Sequence, residues 1–456
     1  MDGKASALTA FSDEGRAMSD TLRLLLALLE LGPRLKDLLG DKWPLYGDEL
    51  QELAARAGRG DDPVKLRPAL DLLVVRLLGE APAMELVERL MEDMAAPVAA
   101  SETVTRRGRV SPTAVPDIVQ PSTDETTGVV TIPVFYGTDR ARGDETPAGY
   151  LRGLRGELAF GIAEITVPTR GRDLGALTSP SWWRFEFSAN PEKHVILKSV
   201  GALGRDAFVT SLKDSLAGAG EHDVLIFVHG YNVTFEDAAR RAGQLAVDLK
   251  FAGRTLLYSW ASAADTKKYT VDESTIDWSR DHFEAFLQLA LGELGAGKVH
   301  IIAHSMGNRA VINTLERVTS WQLPAGAAKL GQIIFAAPDI DRDRFVQLAA
   351  KFKGCAARVT LYASSRDVAL LASKFVHGYP RAGEAGEALT VVDGIDTIDA
   401  SLVDTSLVGL HHSYFGEKRS ILNDMFNLIV QQLAPDQRFD LQASGDALRK
   451  YWSYRA

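Results

Sequence analysis

Cysteine is almost missing from this chain. Cys355 is its single thiol, so no disulfide can close within it, and a small disulfide-stapled fold is excluded. One thiol also favours a reducing compartment. Histidine and cysteine nowhere gather at the spacing of a ligand set, so neither a metal nor an organic cofactor is expected. Long apolar runs are lacking too. The stretch 22–31 is interrupted by Arg23 and Glu30 and is too short to span a bilayer. The opening residues, Met-Asp-Gly-Lys-Ala-Ser, have no basic region followed by an apolar one, so no secretion signal is read there. A cytoplasmic location without a transmembrane segment is the expectation. Positive charge is not in excess: the net charge is −9 with both signs interspersed, which leaves no footprint for nucleic acid.

What is present is globular material. The 456 residues, 46% of them hydrophobic, exceed one minimal domain and can bury a large core. From residue 18 to 94 the apolar spacing is helical, as in Leu22, Leu25, Leu26 and Leu29. Gly32-Pro33, Gly58-Arg59-Gly60 and Gly79 divide it into four short amphipathic helices. Residues 1–100 therefore read as a helical bundle with no catalytic constellation, suited to recruiting a protein partner or to self-association. Residues 101–127 carry Pro112, Pro116, Pro121 and an Arg106-Arg107-Gly108-Arg109 cluster, which is linker composition. Residues 128–456 form the remaining domain.

That domain opens with strand patterns at 129–136, 157–167, 183–187 and 194–200. Strands and helices then alternate, with strands at 224–228, 255–260, 298–304, 332–337, 358–363 and 389–392. Continuous apolar strands separated by helices imply an α/β fold: a mostly parallel central sheet covered on both faces. In such sheets the working residues stand at the carboxyl ends of the strands.

The strand at 298–304 ends in His304-Ser305-Met306-Gly307, and a helical pattern follows at once. Strand, sharp turn and helix, with small residues Ala303 and Gly307 flanking a serine, is the pattern of a nucleophile elbow. A serine nucleophile needs an oxyanion hole. The strand at 224–228 runs into His229-Gly230-Tyr231-Asn232, which makes the Tyr231 N–H one donor and the Met306 N–H the other. It also needs a base oriented by an acid. Asp367, after the strand at 358–363, is the preferred acid, and Asp339, one strand earlier, the runner-up. Of the nine histidines only His411 and His412 follow the last strand, so the base is one of these two. His304 and His229 are read as structural. The polar segment 261–280, with Tyr269 and Trp278, follows a strand at the active-site end and could border the pocket, with a surface loop as the default reading.

Several blocks together carry a resemblance: Val228-His229-Gly230-Tyr231-Asn232, Tyr258-Ser259-Trp260, Ala303-His304-Ser305-Met306-Gly307-Asn308-Arg309, Ala336-Ala337-Pro338-Asp339 and His412-Ser413-Tyr414-Phe415. They resemble the bacterial α/β-hydrolase family of unknown function, within the esterase/lipase superfamily, over roughly residues 129–430. The resemblance implies the α/β-hydrolase fold, a Ser305/Asp367/His412 triad that selects His412 over His411, and hydrolysis of a small-molecule ester or acyl substrate. Ala261 departs from the proline the family often has after Ser-Trp, and residues 1–100 lie outside the match. An amidase or thioesterase would use the same residues. An adaptor, with hydrolysis secondary to recruitment by the helical region, is the reading from another class.

Overall fold

A computed structural model describes residues 20–59, parts of 66–77, 120–144, 146, 148–172, 174, 190–264, 268–365, 367, 370, 373, 378–403, 417–446 and 449–455. Two compact units divide the chain, the first built mainly on Met1–Ala99 and the second on the bulk of the remainder.

In the first unit, helix α1 (Asp20–Leu39) runs through Gly32 and Pro33 instead of stopping there. Leu28, Leu35 and Leu39 are all buried, so the apolar stripe continues past the proline and offsets the hydrogen bond it removes. Helix α2 (Pro44–Gly58) takes Pro44 in its first turn, where the missing N–H costs nothing. Leu66, Leu70, Leu73, Val74 and Leu77 are helical and buried, in keeping with the third helix. The fourth lies outside the described residues.

The second unit opens with strands β1 (Ser122–Asp124), β2 (Val129–Arg142), β3 (Tyr150–Pro168) and β4 (Ile196–Leu203). Helix α3 (Arg205–Ala217), strand β5 (Val224–Val228), helix α4 (Phe235–Asp248) and strand β6 (Arg254–Ser259) follow. Next come helices α5 (Tyr269–Trp278) and α6 (Arg280–Gly292), strand β7 (Lys298–His304) and helix α7 (Asn308–Val318). Strand β8 (Lys329–Ala336), helix α8 (Arg342–Phe352), strands β9 (Ala356–Ala363) and β10 (Asp396–Asp399), helix α9 (Glu417–Ile429) and strands β11 (Leu441–Gly445) and β12 (Lys450–Tyr454) complete it.

Among the described residues these strands make one sheet in the order β11-β12-β10-β9-β8-β7-β5-β6-β2-β3-β4, with β1 on β2. Every pairing from β12 through β10, β9, β8, β7, β5 and β6 to β2 is parallel. Antiparallel strands β3–β4 and β11 finish the two edges. Strand alternation divides the core into two layers. Val224, Ile226 and Val228 of β5 and Val299, Ile301 and Ala303 of β7 pack with α3, α6, α7 and α8. Leu225, Phe227 and Ile302 face the opposite layer with α4 and α9. Burial on both faces is why these strands read as unbroken apolar runs.

Two expectations for the second unit need correction. The strand expected at 389–392 is absent, and β10 at Asp396–Asp399 takes its place beside β9. Leu389 and Thr390 are buried without strand pairing, so apolarity there reflects packing alone. The segment 261–280 holds helix α5, with Asp272, Thr275 and Ile276 buried. The strand at 183–187 lies outside the described residues.

Candidate active site at the strand ends

Ser305 occupies the turn between β7 and α7 with φ +49°, a left-handed conformation that costs a non-glycine residue about 1–2 kcal/mol. Its surroundings hold it there. The Ser305 carbonyl accepts from Asn308 Nδ2 at 2.7 Å and from the Asp339 N–H at 3.2 Å, while Asn308 Nδ2 also reaches the Ala336 carbonyl at 3.2 Å. Gly307 is obligatory, since a Cβ there would stand 2.3 Å from the His229 carbonyl oxygen. Gly230 is packed as closely from the other side, its Cβ position lying 3.0 Å from Ser305 Cβ and 2.8 Å from His304 Nδ1. Ala303 is fully buried inside β7, so a methyl replaces the usual first glycine without conflict.

Asn232, Ala264, Ser305 and Ala337 all have positive φ, and they follow β5, β6, β7 and β8 respectively. Left-handed non-glycine residues thus mark the carboxyl ends of four adjacent strands. Such strain concentrates at functional sites.

The loop after β5 is fixed from beneath by Arg140, which is fully buried. Its guanidinium donates to Ser259 Oγ at 2.9 Å, the Ser262 carbonyl at 3.0 Å, the Val233 carbonyl at 2.8 Å and His229 Nε2 at 3.3 Å. His229 Nδ1 lies 2.8 Å from the Gly230 carbonyl, so that nitrogen carries the proton and Nε2 accepts. Burial, then the Arg140 cation, holds His229 well below the usual imidazole range and keeps it neutral. Burial also lowers Arg140 to about 10, which still leaves it charged near neutrality. Trp260 stacks on His229 at 5.2 Å and donates from Nε1 to its carbonyl at 2.8 Å. The expected donors Tyr231 and Met306 lie after β5 and after β7, at the carboxyl ends of two paired strands. Met306 is in the first turn of its helical segment, where an N–H has no acceptor within the helix.

Asp367 is half-buried on the loop after β9, with Oδ1 accepting from the Leu370 N–H at 3.1 Å. Asp339, after β8, is buried and already engaged. Oδ1 accepts from Arg381 Nε at 2.8 Å, and Oδ2 accepts from the Tyr269 hydroxyl. His411 and His412 lie outside the described residues, and among those residues none hydrogen-bonds Ser305 Oγ. His304 Nδ1 lies against Gly230, 2.8 Å from its Cβ position, and burial of the ring, then the nearby Arg241, pushes it down to about 3. No group of three His, Cys, Asp or Glu among the described residues could hold a metal ion, and no helix among them is long and apolar enough to cross a membrane.

Sequence reasoning passed over Arg140, Arg381, Asp272 and Glu273, and met Tyr269 only as part of the polar segment 261–280. Arg140 gave no local signal, since it stands in the polar stretch Gly137-Thr138-Asp139-Arg140 beyond the apolar run 129–136. Arg381 and Glu273 had none either, because their partners Asp339 and Arg309 are 42 and 36 residues away, and Asp272 is a lone acid in a polar segment.

The strand order, the parallel centre and the strained serine turn define an α/β-hydrolase. The chain belongs to the family described as "Alpha/beta hydrolase of unknown function (DUF900)", whose model matches residues 204–432, half of the chain. Membership supports a hydrolase. A search of curated proteins finds no match. Among solved structures, the crystal structure described as "the putative cell surface hydrolase from Lactobacillus plantarum WCFS1" is similar at 11% identity. It covers 47% of this chain and 94% of its own at a TM-score of 0.28, a likeness that carries no argument about the site.

Proposed function

We propose that the protein is a serine hydrolase of carboxylic esters. The observation that carries this reading is Ser305, held at positive φ between β7 and α7 against Gly230 and Gly307. In this reading Ser305 Oγ attacks the acyl carbon and its proton passes to His412. The Tyr231 and Met306 N–H groups bind the oxyanion. Collapse of the tetrahedral intermediate expels the alcohol, which takes the proton from His412. Water, deprotonated by His412, then attacks the acyl-enzyme; the bond to Ser305 Oγ breaks, the acid leaves, and Ser305 Oγ takes the proton back from His412. Asp367 orients the imidazole and stabilises its cation. That Asp339 is occupied by Arg381 and Tyr269 supports Asp367 for this role. No metal or organic cofactor has a part in it.

A fluorophosphonate probe should label the wild type at Ser305 and leave Ser305→Ala unlabelled, with p-nitrophenyl ester turnover lost in parallel. Equal labelling of both proteins would remove Ser305 from the mechanism.

A further inference from the structure

Helix α5 touches the loops after β5, β6 and β8 and the first turn of α7. Tyr269, Asp272, Glu273 and Ile276 recur at helical spacing and share one face. Ile276 is fully buried in the core layer beneath. The Tyr269 ring meets the Tyr231 ring at 5.2 Å and 64°, and its hydroxyl donates to the Asp339 carboxylate. Asp272 is fully buried: Oδ2 accepts from Ser262 Oγ and Oδ1 from the Ala263 N–H, each at 2.7 Å, and the Asn232 N–H also bonds to it. Glu273 takes Arg309 Nη2, while Arg309 Nε donates to the Asp339 carbonyl at 2.9 Å.

Three neighbouring side chains thus tie together the loop after β5, the loop after β6, and the paired turns after β7 and β8. Asp339 closes the circuit, since its N–H holds the Ser305 carbonyl. Packing alone does not call for this arrangement. Burying carboxylates and guanidinium groups costs desolvation that an apolar face would avoid, so buried ionic links are weak evidence of stabilisation. They do restrict geometry, because each link is directional and its partner is fixed elsewhere.

We propose that α5 is the positioning clamp of the active site, with Tyr269, Asp272 and Glu273 setting the Tyr231 loop against the Ser305 turn. The inference rests on the serine-hydrolase reading. These residues act through others: none is assigned contact with the reacting atoms. Their effect falls on the spacing of the two oxyanion donors, which matters when charge develops on the substrate oxygen. Loss of the clamp therefore lowers kcat and leaves KM nearly unchanged.

The test uses the full chain, p-nitrophenyl ester kinetics and the rate of fluorophosphonate labelling, with thermal midpoints measured beside them. Tyr269→Phe keeps the ring contact and removes the bond to Asp339. It should lower kcat and the labelling rate about tenfold, with KM within about twofold and an unchanged midpoint. Glu273→Ala should behave alike, and Glu273→Gln, which still offers Arg309 an oxygen, should recover most of the loss. Wild-type kcat in Tyr269→Phe and Glu273→Ala overturns the clamp and leaves the hydrolase reading standing. So does a lowered midpoint with full kcat in the folded fraction. A wild type that is not labelled at Ser305 overturns both.

Discussion

The two sides of the Ser305 turn are built in different ways. On the β5–β6 side, polar groups are buried and matched: Arg140, His229, Trp260 and Asp272 interlock through directional bonds. On the β9 side, Asp367 sits half-buried on a loop, tied to the backbone N–H of Leu370. The contrast follows the chemistry proposed for each. Oxyanion donors work by being fixed in place before charge develops. A carboxylate that orients a histidine works instead by fixing the imidazole tautomer and stabilising its cation.

The largest effect should come from the two acids. Asp367→Asn is expected to cut ester turnover by about 10³-fold or more, because the imidazole would lose its fixed tautomer. Asp339→Asn should cost within about tenfold in turnover and show itself in stability, through the weakened Arg381 pair. Steady-state kinetics and urea midpoints separate the two, and the reverse order of kcat values would move the acid to Asp339.

Removing the support beneath the β5 loop should rank second. Arg140→Met leaves two carbonyls and Ser259 Oγ without their donor, and His229 Nε2 with the Ser259 hydroxyl alone at 3.2 Å, which should cost about 3 kcal/mol of unfolding free energy. Residual turnover should fall as well. A urea curve superimposable on wild type would show that the network does not brace the loop.

The smallest effect is a dependence on pH. The folded-state pKa of His304 is about 3 against an ordinary 6.5, so below about pH 6.5 the unfolded chain takes up a proton that the folded one refuses. Its contribution to stability is full above pH 6.5 and is lost as the pH falls toward 3. His229, also depressed, adds a loss of the same sign. His304→Gln should have a shallower decline in urea midpoint between about pH 7 and 5. Parallel declines would mean that His304 is not buried as a neutral imidazole.

The legibility of the sequence followed the same division. Strands β5, β7, β8 and β9 were readable because burial on both faces leaves little but apolar residues. The serine turn was readable from two small residues whose space is taken by other atoms, or, at Ala303, nearly so. Helix α5 was not, because Asp272 and Thr275 occupy its buried face and hide the apolar periodicity. Strand β10, Asp-Thr-Ile-Asp, offers one aliphatic residue and depends on β9 and β12 for its pairing. The hairpin β11–β12 went unread for a similar reason, being a short edge with polar and exposed positions. Arg140 and Arg381 needed partners about 90–120 and 42 residues away, a separation at which local pattern says nothing.

Asn232, Ala264, Ser305 and Ala337 have a consequence for anyone ranking variants of this protein by robustness alone. By that measure these four strand ends are defects, each a site where glycine would rest more easily. A heat-tolerance score would mark the reactive edge for repair and would rate highest the changes that relax it. Robustness and turnover therefore have to be scored separately here, and the left-handed positions show where the two rankings part.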